Sequence, residues 1–292
     1  MKKSKNPGRP FLKWLGGKTK MIPHILDEMP ESCKTYYEPF LGGGSVFIEM
    51  AKSGKFKNAV IGDMNEELVN TWLQVKDHPT SLIKELENGY YIYNKKRYLE
   101  IRELETKSLT KITRAARFVY LNKTCFNGLY RVNQSGKFNV PFGKYTDPQI
   151  VDEENLHIIS SLLKNVTIIH GDFELVVKDA KKGDLVYIDP PYIPLSSTSK
   201  FSQYTSGGFS EPDHWRLAGL FNNLVHREVD TILSNSSAPL SLKLYGDHEI
   251  ITLNGTRSVA GPGDWRKSVS EIMVVAKRRK KTKTIDEKHA SC

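Results

Sequence analysis

Cysteine is scarce in this 292-residue chain. Cys33, Cys125 and Cys292 are an odd number, and no two form a CxxC. Neither a disulfide framework nor a zinc–thiolate cluster is expected, and a reducing, cytoplasmic setting is. The eight histidines are scattered without an HxxxH pair, so no metal site is readable. No run approaches the ~18 apolar residues of a membrane span. Phe11-Leu12-Lys13-Trp14 interrupts the basic N-terminus before a signal-peptide core could form. No internal repeat is visible either.

Hydrophobic residues make up 39% and charged residues 26%, enough apolar matter for a core and too much for wholesale disorder. At roughly 150 residues per domain, the length suits one large domain or two small ones. Lys and Arg number 43 against 33 Asp and Glu, and their placement says more than the net of +10. Residues 1–20 carry seven bases and no acid, and residues 277–283 carry six bases. Residues 90–145 hold twelve bases against three acids, interleaved with eleven aromatics. That mixture suits a phosphate backbone and unstacked bases, and equally a solvated helical face over an aromatic core.

The order of elements points to an α/β fold. Residues 36–40 read as a strand entering Gly42-Gly43-Gly44, residues 45–53 as a helix stopped by Gly54, and residues 58–62 as a second strand ending at Asp63. This β-loop-α-β unit opens a doubly wound sheet. A helical pattern then runs from about Glu66 to Lys123. Residues 126–145 carry a hairpin signal around Asn133-Gln134-Ser135-Gly136. Strand patterns resume at 165–170, 184–188, 231–234 and 272–276. One sheet domain, residues 1–76 and 165–280, interrupted by a mainly helical module at 77–164 accounts for this better than two tandem domains. Residues 281–292 are then a basic tail.

Two glycine segments were weighed against nucleotide motifs. Leu15-Gly16-Gly17-Lys18-Thr19 ends like a phosphate-binding P-loop, but Leu12 stands where its first glycine belongs. Gly42-x-Gly44 follows a strand, yet Phe47 replaces the third glycine of the dinucleotide fingerprint. Asp63 closes the next strand, where a carboxylate can accept from ribose hydroxyls. Glu38 just before the glycines would repel a pyrophosphate. A zwitterionic ligand with a ribose and no phosphate is compatible, and S-adenosylmethionine fits that description.

The strongest chemical signal is Asp184-Leu-Val-Tyr-Ile-Asp-Pro-Pro-Tyr192. Pro190 and Pro191 fix φ near −65° and keep the preceding residues extended. The result is a stiff corner at the carboxyl end of a strand, where open α/β sheets bind ligands. An exocyclic amine on a nucleobase is a poor nucleophile because its lone pair is delocalised into the ring. The Asp189 carboxylate and the Pro190 carbonyl can accept its two N–H groups and localise the lone pair, and Tyr192 can stack on the base. Asp189 also stabilises charge developing on the nitrogen, and the rest is in-line placement.

With these residues in view, the chain resembles the Dam family of DNA adenine-N6 methyltransferases (D12 class, alpha group), above all the GATC-specific members of restriction-modification systems. The matching segments are Phe11-Leu-Lys-Trp-Leu-Gly-Gly-Lys18, Glu38-Pro-Phe-Leu-Gly-Gly-Gly-Ser-Val-Phe47, Asp63-Met-Asn65, Phe126-Asn-Gly-Leu-Tyr-Arg-Val-Asn133, Phe138-Asn-Val-Pro-Phe-Gly143, Gly171-Asp-Phe173 and Asp189-Pro-Pro-Tyr192. The resemblance implies a Rossmann-like catalytic domain with an inserted recognition domain bearing a β-hairpin. It implies catalysis by Asp189, Pro190, Pro191 and Tyr192. It also implies S-adenosylmethionine contacts, with S-adenosylhomocysteine as product, from Trp14, Lys18, Glu38, Phe40, Gly42, Gly44, Asp63, Asp172, Phe173 and Asp189. Double-stranded DNA is the implied partner, met by Lys13, Phe126, Asn127, Leu129, Arg131, Asn133, Pro141 and Arg257, with Arg131 reading a guanine edge. Residues 261–265 depart from the family's usual loop. A monomer is expected, along with a possible functional pairing with a cognate restriction endonuclease.

The corner chemistry alone leaves a cytosine-N4 or RNA amino methyltransferase open, since each substrate offers a conjugated amine. A non-catalytic basic DNA-binding protein is disfavoured by the intact Asp189, Tyr192 and glycine loop. A nicotinamide enzyme is disfavoured by Phe47 and Glu38.

Overall fold

The computed structural model describes residues 8–18, 21–195, 208–254 and 270–277. Its seven strands are β1 (Cys33–Glu38), β2 (Phe56–Asp63), β3 (Val166–His170), β4 (Leu185–Ile188), β5 (Asp230–Ser236), β6 (Glu249–Asn254) and β7 (Ser270–Ala276). They form one sheet in the order β3-β2-β1-β4-β5-β7-β6. The first five run parallel, while β7 is antiparallel to both β5 and β6. The order reverses between β1 and β4, so the crevice at the carboxyl ends of those strands is the topological switch point.

The described helices are α1 (Ile22–Glu28), α2 (Ser45–Ser53), α3 (Glu66–Asp77), α4 (Pro79–Glu87), α5 (Lys95–Glu103), α6 (Lys111–Thr124), α7 (Glu153–Leu162), α8 (Phe173–Val176), α9 (Glu211–His226) and α10 (Pro239–Tyr245). Both faces of the sheet are covered, which is why β4 and β5 are buried at every residue rather than alternating. Successive side chains still divide between two cores with the period of a strand. Tyr36, Ile61 and Tyr187 join α1 to α7 on one face. Tyr37, Val186 and Ile188 join α8, α9 and α10 on the other.

The insertion between β2 and β3 is helical, as its periodicity predicts, and it adds to the first core. Tyr98, Tyr120, Phe118 and Ile101 are buried in the same cluster as Trp72 and Phe47. The aromatics of the basic central zone are therefore chiefly core residues, with Phe126 the conspicuous exception at 50% exposure. The hairpin keeps its outline with little ladder. Single bridges join Cys125 to Phe142 and Val132 to Phe138. Asn133 closes the turn, its Oδ1 accepting from the N–H groups of Ser135 and Lys137. Gly136 takes the left-handed conformation its position predicts (φ 76°).

Five elements, β6 and the helices α7, α8, α9 and α10, were not individually read from the sequence. Among the described residues β6 is an edge strand that pairs with β7. α9 starts with a Ser210/Asp213 capping box and a proline, a signal that was present and overlooked. Arg257, the 261–265 loop and the 281–292 tail lie outside the described residues.

Candidate active site

The parallel strands deliver acidic side chains to one edge. Glu38 ends β1, Asp63 ends β2, Asp172 follows β3 and Asp189 follows β4. Glu38 is 2% exposed. Its carboxylate accepts from the Tyr36 hydroxyl at 2.6 Å and from the Phe47 backbone N–H. Burial, reinforced by the nearby Asp189 charge, pushes its carboxyl up to about 8 against these bonds and the pull of Lys18. Asp63 is likewise raised by burial, although the N–H groups of Gly42 and Asn65 each bond a carboxylate oxygen at 3.0 Å. Those bonds leave acceptor capacity on both oxygens.

The glycine loop is shaped by indoles. Gly44 caps α2 with φ 66°, and a Cβ there would lie 2.6 Å from the Trp72 ring. Gly42 has φ 50°, and a Cβ there would lie 2.7 Å from Trp14. The Trp72 indole N–H bonds the Gly42 carbonyl at 3.2 Å. Trp14 stacks against Phe118 and Tyr130 of the insertion, so it joins the loop to the helical module. On the other side of the crevice, Phe40 stacks on Phe173 with centroids 5.5 Å apart. Asp172 caps α8 and pairs with Arg216 at 2.9 Å, and that guanidinium also lies over the Phe173 ring.

The Asp189 corner meets the N-terminal segment. Lys18, 5% exposed, places Nζ 2.8 Å from Asp189 Oδ1 and 4.7 Å from the centroid of the Tyr192 ring. The same ammonium donates to the Gly16 carbonyl at 2.8 Å. The Gly16-Gly17-Lys18 segment thus serves the strand-end acids rather than a phosphate. Tyr192 donates to Glu271 Oε2 at 3.0 Å, and burial beside Asp189 raises its phenol well above the ordinary value. Pro190 is buried and Pro191 half-buried. An ammonium already sits where a cation or an amine could face Asp189 and the phenol ring together.

The residues expected at DNA form a second group at the tip of the insertion. Phe126, Asn127, Arg131, Asn133 and Pro141 are exposed, and Leu129 is half-buried. Asn127 stands in the left-handed region (φ 54°). The Phe126 N–H bonds the Pro141 carbonyl at 2.9 Å, which fastens the two limbs together. Arg131 is braced by Asn139, with Nε to Oδ1 at 2.7 Å and Nη2 to the backbone carbonyl at 3.2 Å. Lys13 is stitched to this tip by Asn122, which accepts from the Lys13 N–H and donates to its carbonyl. Its ammonium lies 3.8 Å above the Tyr145 ring. Arg216 and Glu271 were missed in the sequence, where nothing in their local context marks them, whereas Asn139 lies within the Phe138–Gly143 segment without having been singled out.

A sheet of this order, with acids at its strand ends and a proline-locked Asp at the switch point, defines a Rossmann-like methyltransferase. Residues 14–259 match the D12 class N6 adenine-specific DNA methyltransferase family, and the chain belongs to it. It is 44% identical to the type II methyltransferase M1.LlaDCHI of Lactococcus lactis subsp. cremoris over 280 residues, covering 94% of this chain and 97% of that one. It is 39% identical to the type II methyltransferase M.MjaIII of Methanocaldococcus jannaschii, covering 91% and 98%. The DNA adenine methylase of Escherichia coli K12 is 31% identical, covering 92% and 95%. The chain is an adenine-N6 DNA methyltransferase that uses a methyl donor of the S-adenosylmethionine type. Among the described residues no helix is long and apolar enough to cross a membrane.

Proposed function

We propose that this enzyme methylates N6 of an adenine swung out of duplex DNA, in the sequence GATC, with S-adenosylmethionine bound along the β1–β4 switch point. The observation that carries this reading is the Asp189 corner, where a buried ammonium bonds the carboxylate at 2.8 Å and lies 4.7 Å from the centre of the phenol ring, beside Glu38. The donor set fits the cofactor. Glu38 suits a cationic ligand end, Asp63 suits ribose hydroxyls, the Phe40–Phe173 pair suits an aromatic ring, and Trp14, Lys18, Gly42, Gly44 and Asp172 border the same crevice. When bound, S-adenosylmethionine supplies a methyl carbon activated by its sulfonium.

The protein's own part is placement and charge. Asp189 and the Pro190 carbonyl accept the two N–H groups of the target amine, and Tyr192 carries the base on its ring face. Lys18 yields its place on Asp189 to that amine and moves toward the cofactor. Asp189 then stabilises the positive charge that grows on nitrogen as the bond forms. The nitrogen–carbon bond would form as the sulfur–methyl bond breaks, and the amine becomes acidic only after attack, so its surplus proton can leave through Asp189 to solvent and no strong base is needed. Extrusion of the base is required because the amine is otherwise paired within the stack.

Residues 77–164 serve as the target-recognition segment in this reading, with Arg131 pre-braced for the bidentate geometry that guanine O6 and N7 present. Asn127, Phe126, Leu129, Asn133 and Pro141 line the gap and its neighbours, and Lys13 and Arg257 add backbone contacts. The enzyme acts as a monomer, and residues 281–292 tether it to DNA non-specifically. The names of the two type II relatives support pairing with a restriction endonuclease of the same specificity.

Asp189→Ala tests the core of this account. Methyl transfer to DNA should vanish while DNA binding persists, and retained turnover refutes the assigned role. Digesting the methylated DNA to nucleosides should give N6-methyladenine, and sequencing host DNA should place it in GATC. A different methylated sequence overturns the specificity while leaving the chemistry intact.

A further inference from the structure

The Asp189–Tyr192 corner does not hold itself. Two prolines stiffen its interior, but the chain leaving it at Ile193 needs an anchor, and that anchor is the neighbouring strand. Asn235 and Ser236 end β5, which is parallel to β4 with Ile188 opposite Leu233. The Ile193 N–H donates to Asn235 Oδ1 at 3.1 Å, and the Ser236 hydroxyl donates to the Ile193 carbonyl. Asn235 Oδ1 accepts a second bond, from the Ser236 backbone N–H at 2.8 Å, so the amide oxygen that holds Ile193 is itself held by the main chain of the next residue. Both are buried, Asn235 completely. Ile193 itself is packed in the second core. One residue of the main chain is thus fixed by its donor and its acceptor at once, directly after the residue whose ring receives the base.

Asn235 is an odd choice for stability alone. Its amide nitrogen is buried and has no partner among the described residues, which is a cost to folding. A side chain kept despite that cost is explained by what its oxygen does for the corner. We propose that Asn235 and Ser236 are positioning residues for methyl transfer, which clamp Ile193 and thereby set where Asp189, Pro190 and Tyr192 stand. The proposal rests on the reading that this corner meets the target base.

The test is single-turnover methylation of duplex DNA by full-length Asn235→Ala, Ser236→Ala and the double variant, with folding followed by circular dichroism and thermal melting. A loosened corner of about an ångström should slow the transfer step by about 10- to 100-fold in Asn235→Ala and less in Ser236→Ala. DNA affinity should stay within about two-fold, because the recognition tip is untouched. Both side chains grip one residue, so the double variant should be slower than Asn235→Ala by much less than the Ser236→Ala factor. A merely structural role would lower the melting temperature and leave the transfer rate per folded molecule unchanged, and that outcome overturns the proposal. If Asn235→Ala does not fold, Ser236→Ala decides in the same way, a wild-type rate refuting the clamp. Asp189→Ala run alongside separates the two readings. Activity retained there removes the corner from catalysis altogether, whereas an inactive Asp189→Ala beside fully active clamp variants removes only the clamp.

Discussion

Replacing Glu38 by Gln is the sharpest test of how the cofactor crevice uses its charge. The side chain keeps its shape and can still accept from Tyr36. What is lost is the ability to ionise. Burial holds the Glu38 carboxyl at about 8, against 4.5 for a free side chain, so ionising it in the folded protein costs on the order of 5 kcal/mol more than in water. Near neutrality the crevice therefore carries mostly the protonated acid. A cationic ligand end favours the ionised form, so binding should tighten as pH rises. Between pH 6.5 and 9 the ionised fraction climbs roughly 30-fold, and apparent affinity follows the competent fraction. Calorimetric titration of S-adenosylmethionine into wild type and Glu38→Gln across that range measures the effect. The ratio of the two affinities cancels any titration of the ligand itself. It should grow about 30-fold in favour of wild type by pH 9. A ratio that stays flat would mean that Glu38 does not face the cofactor's charge. Stability should move the other way. The folded protein binds this proton more tightly than the unfolded chain, so wild type loses stability as pH rises from about 4.5 through about 8. Glu38→Gln lacks that loss, and its melting temperature should overtake wild type above pH 8.

Three further outcomes follow from the geometry. Arg131→Ala should weaken discrimination at one base pair of the target by about 1–3 kcal/mol, and unchanged preference at every position in a substrate panel would remove Arg131 from direct readout. Gly44→Ala should destabilise the fold by about 1–3 kcal/mol or more, because the left-handed φ of 66° and a Cβ 2.6 Å from Trp72 both oppose it; a denaturation midpoint equal to wild type would contradict the loop geometry. Removing residues 277–292 should lower non-specific DNA affinity at low salt far more than it alters the methylated sequence, read from binding isotherms against salt and from sequencing; a changed target motif would show that these residues do more than tether.

The sheet strands and the two chemical loops were legible because their signals are local. A run such as Leu185–Ile188 ending in Asp-Pro-Pro-Tyr is a strand and a rigid corner in any context, since proline restricts φ covalently. Gly42, Gly44 and Gly136 likewise announce their turns through the backbone freedom they need. Edge strand β6 was less visible, because it sits at the end of the sheet with β7 as its neighbour and its apolar pattern is weak. Arg216 and Glu271 could not be nominated at all, since their roles exist only through residues 44 and 79 positions away.

The sequence alone therefore determined the class of fold, the proline corner and the family, all of which depend on short spacings and covalent stiffness. The tertiary structure decided what faces what. It set the Lys18 ammonium on Asp189, raised Glu38 by burying it at a strand end, and turned most of the central aromatics into core. It also gave Ile193 an anchor on β5. Burial, desolvation and hydrogen bonding between distant segments are properties of the packed chain, and no window of residues contains them.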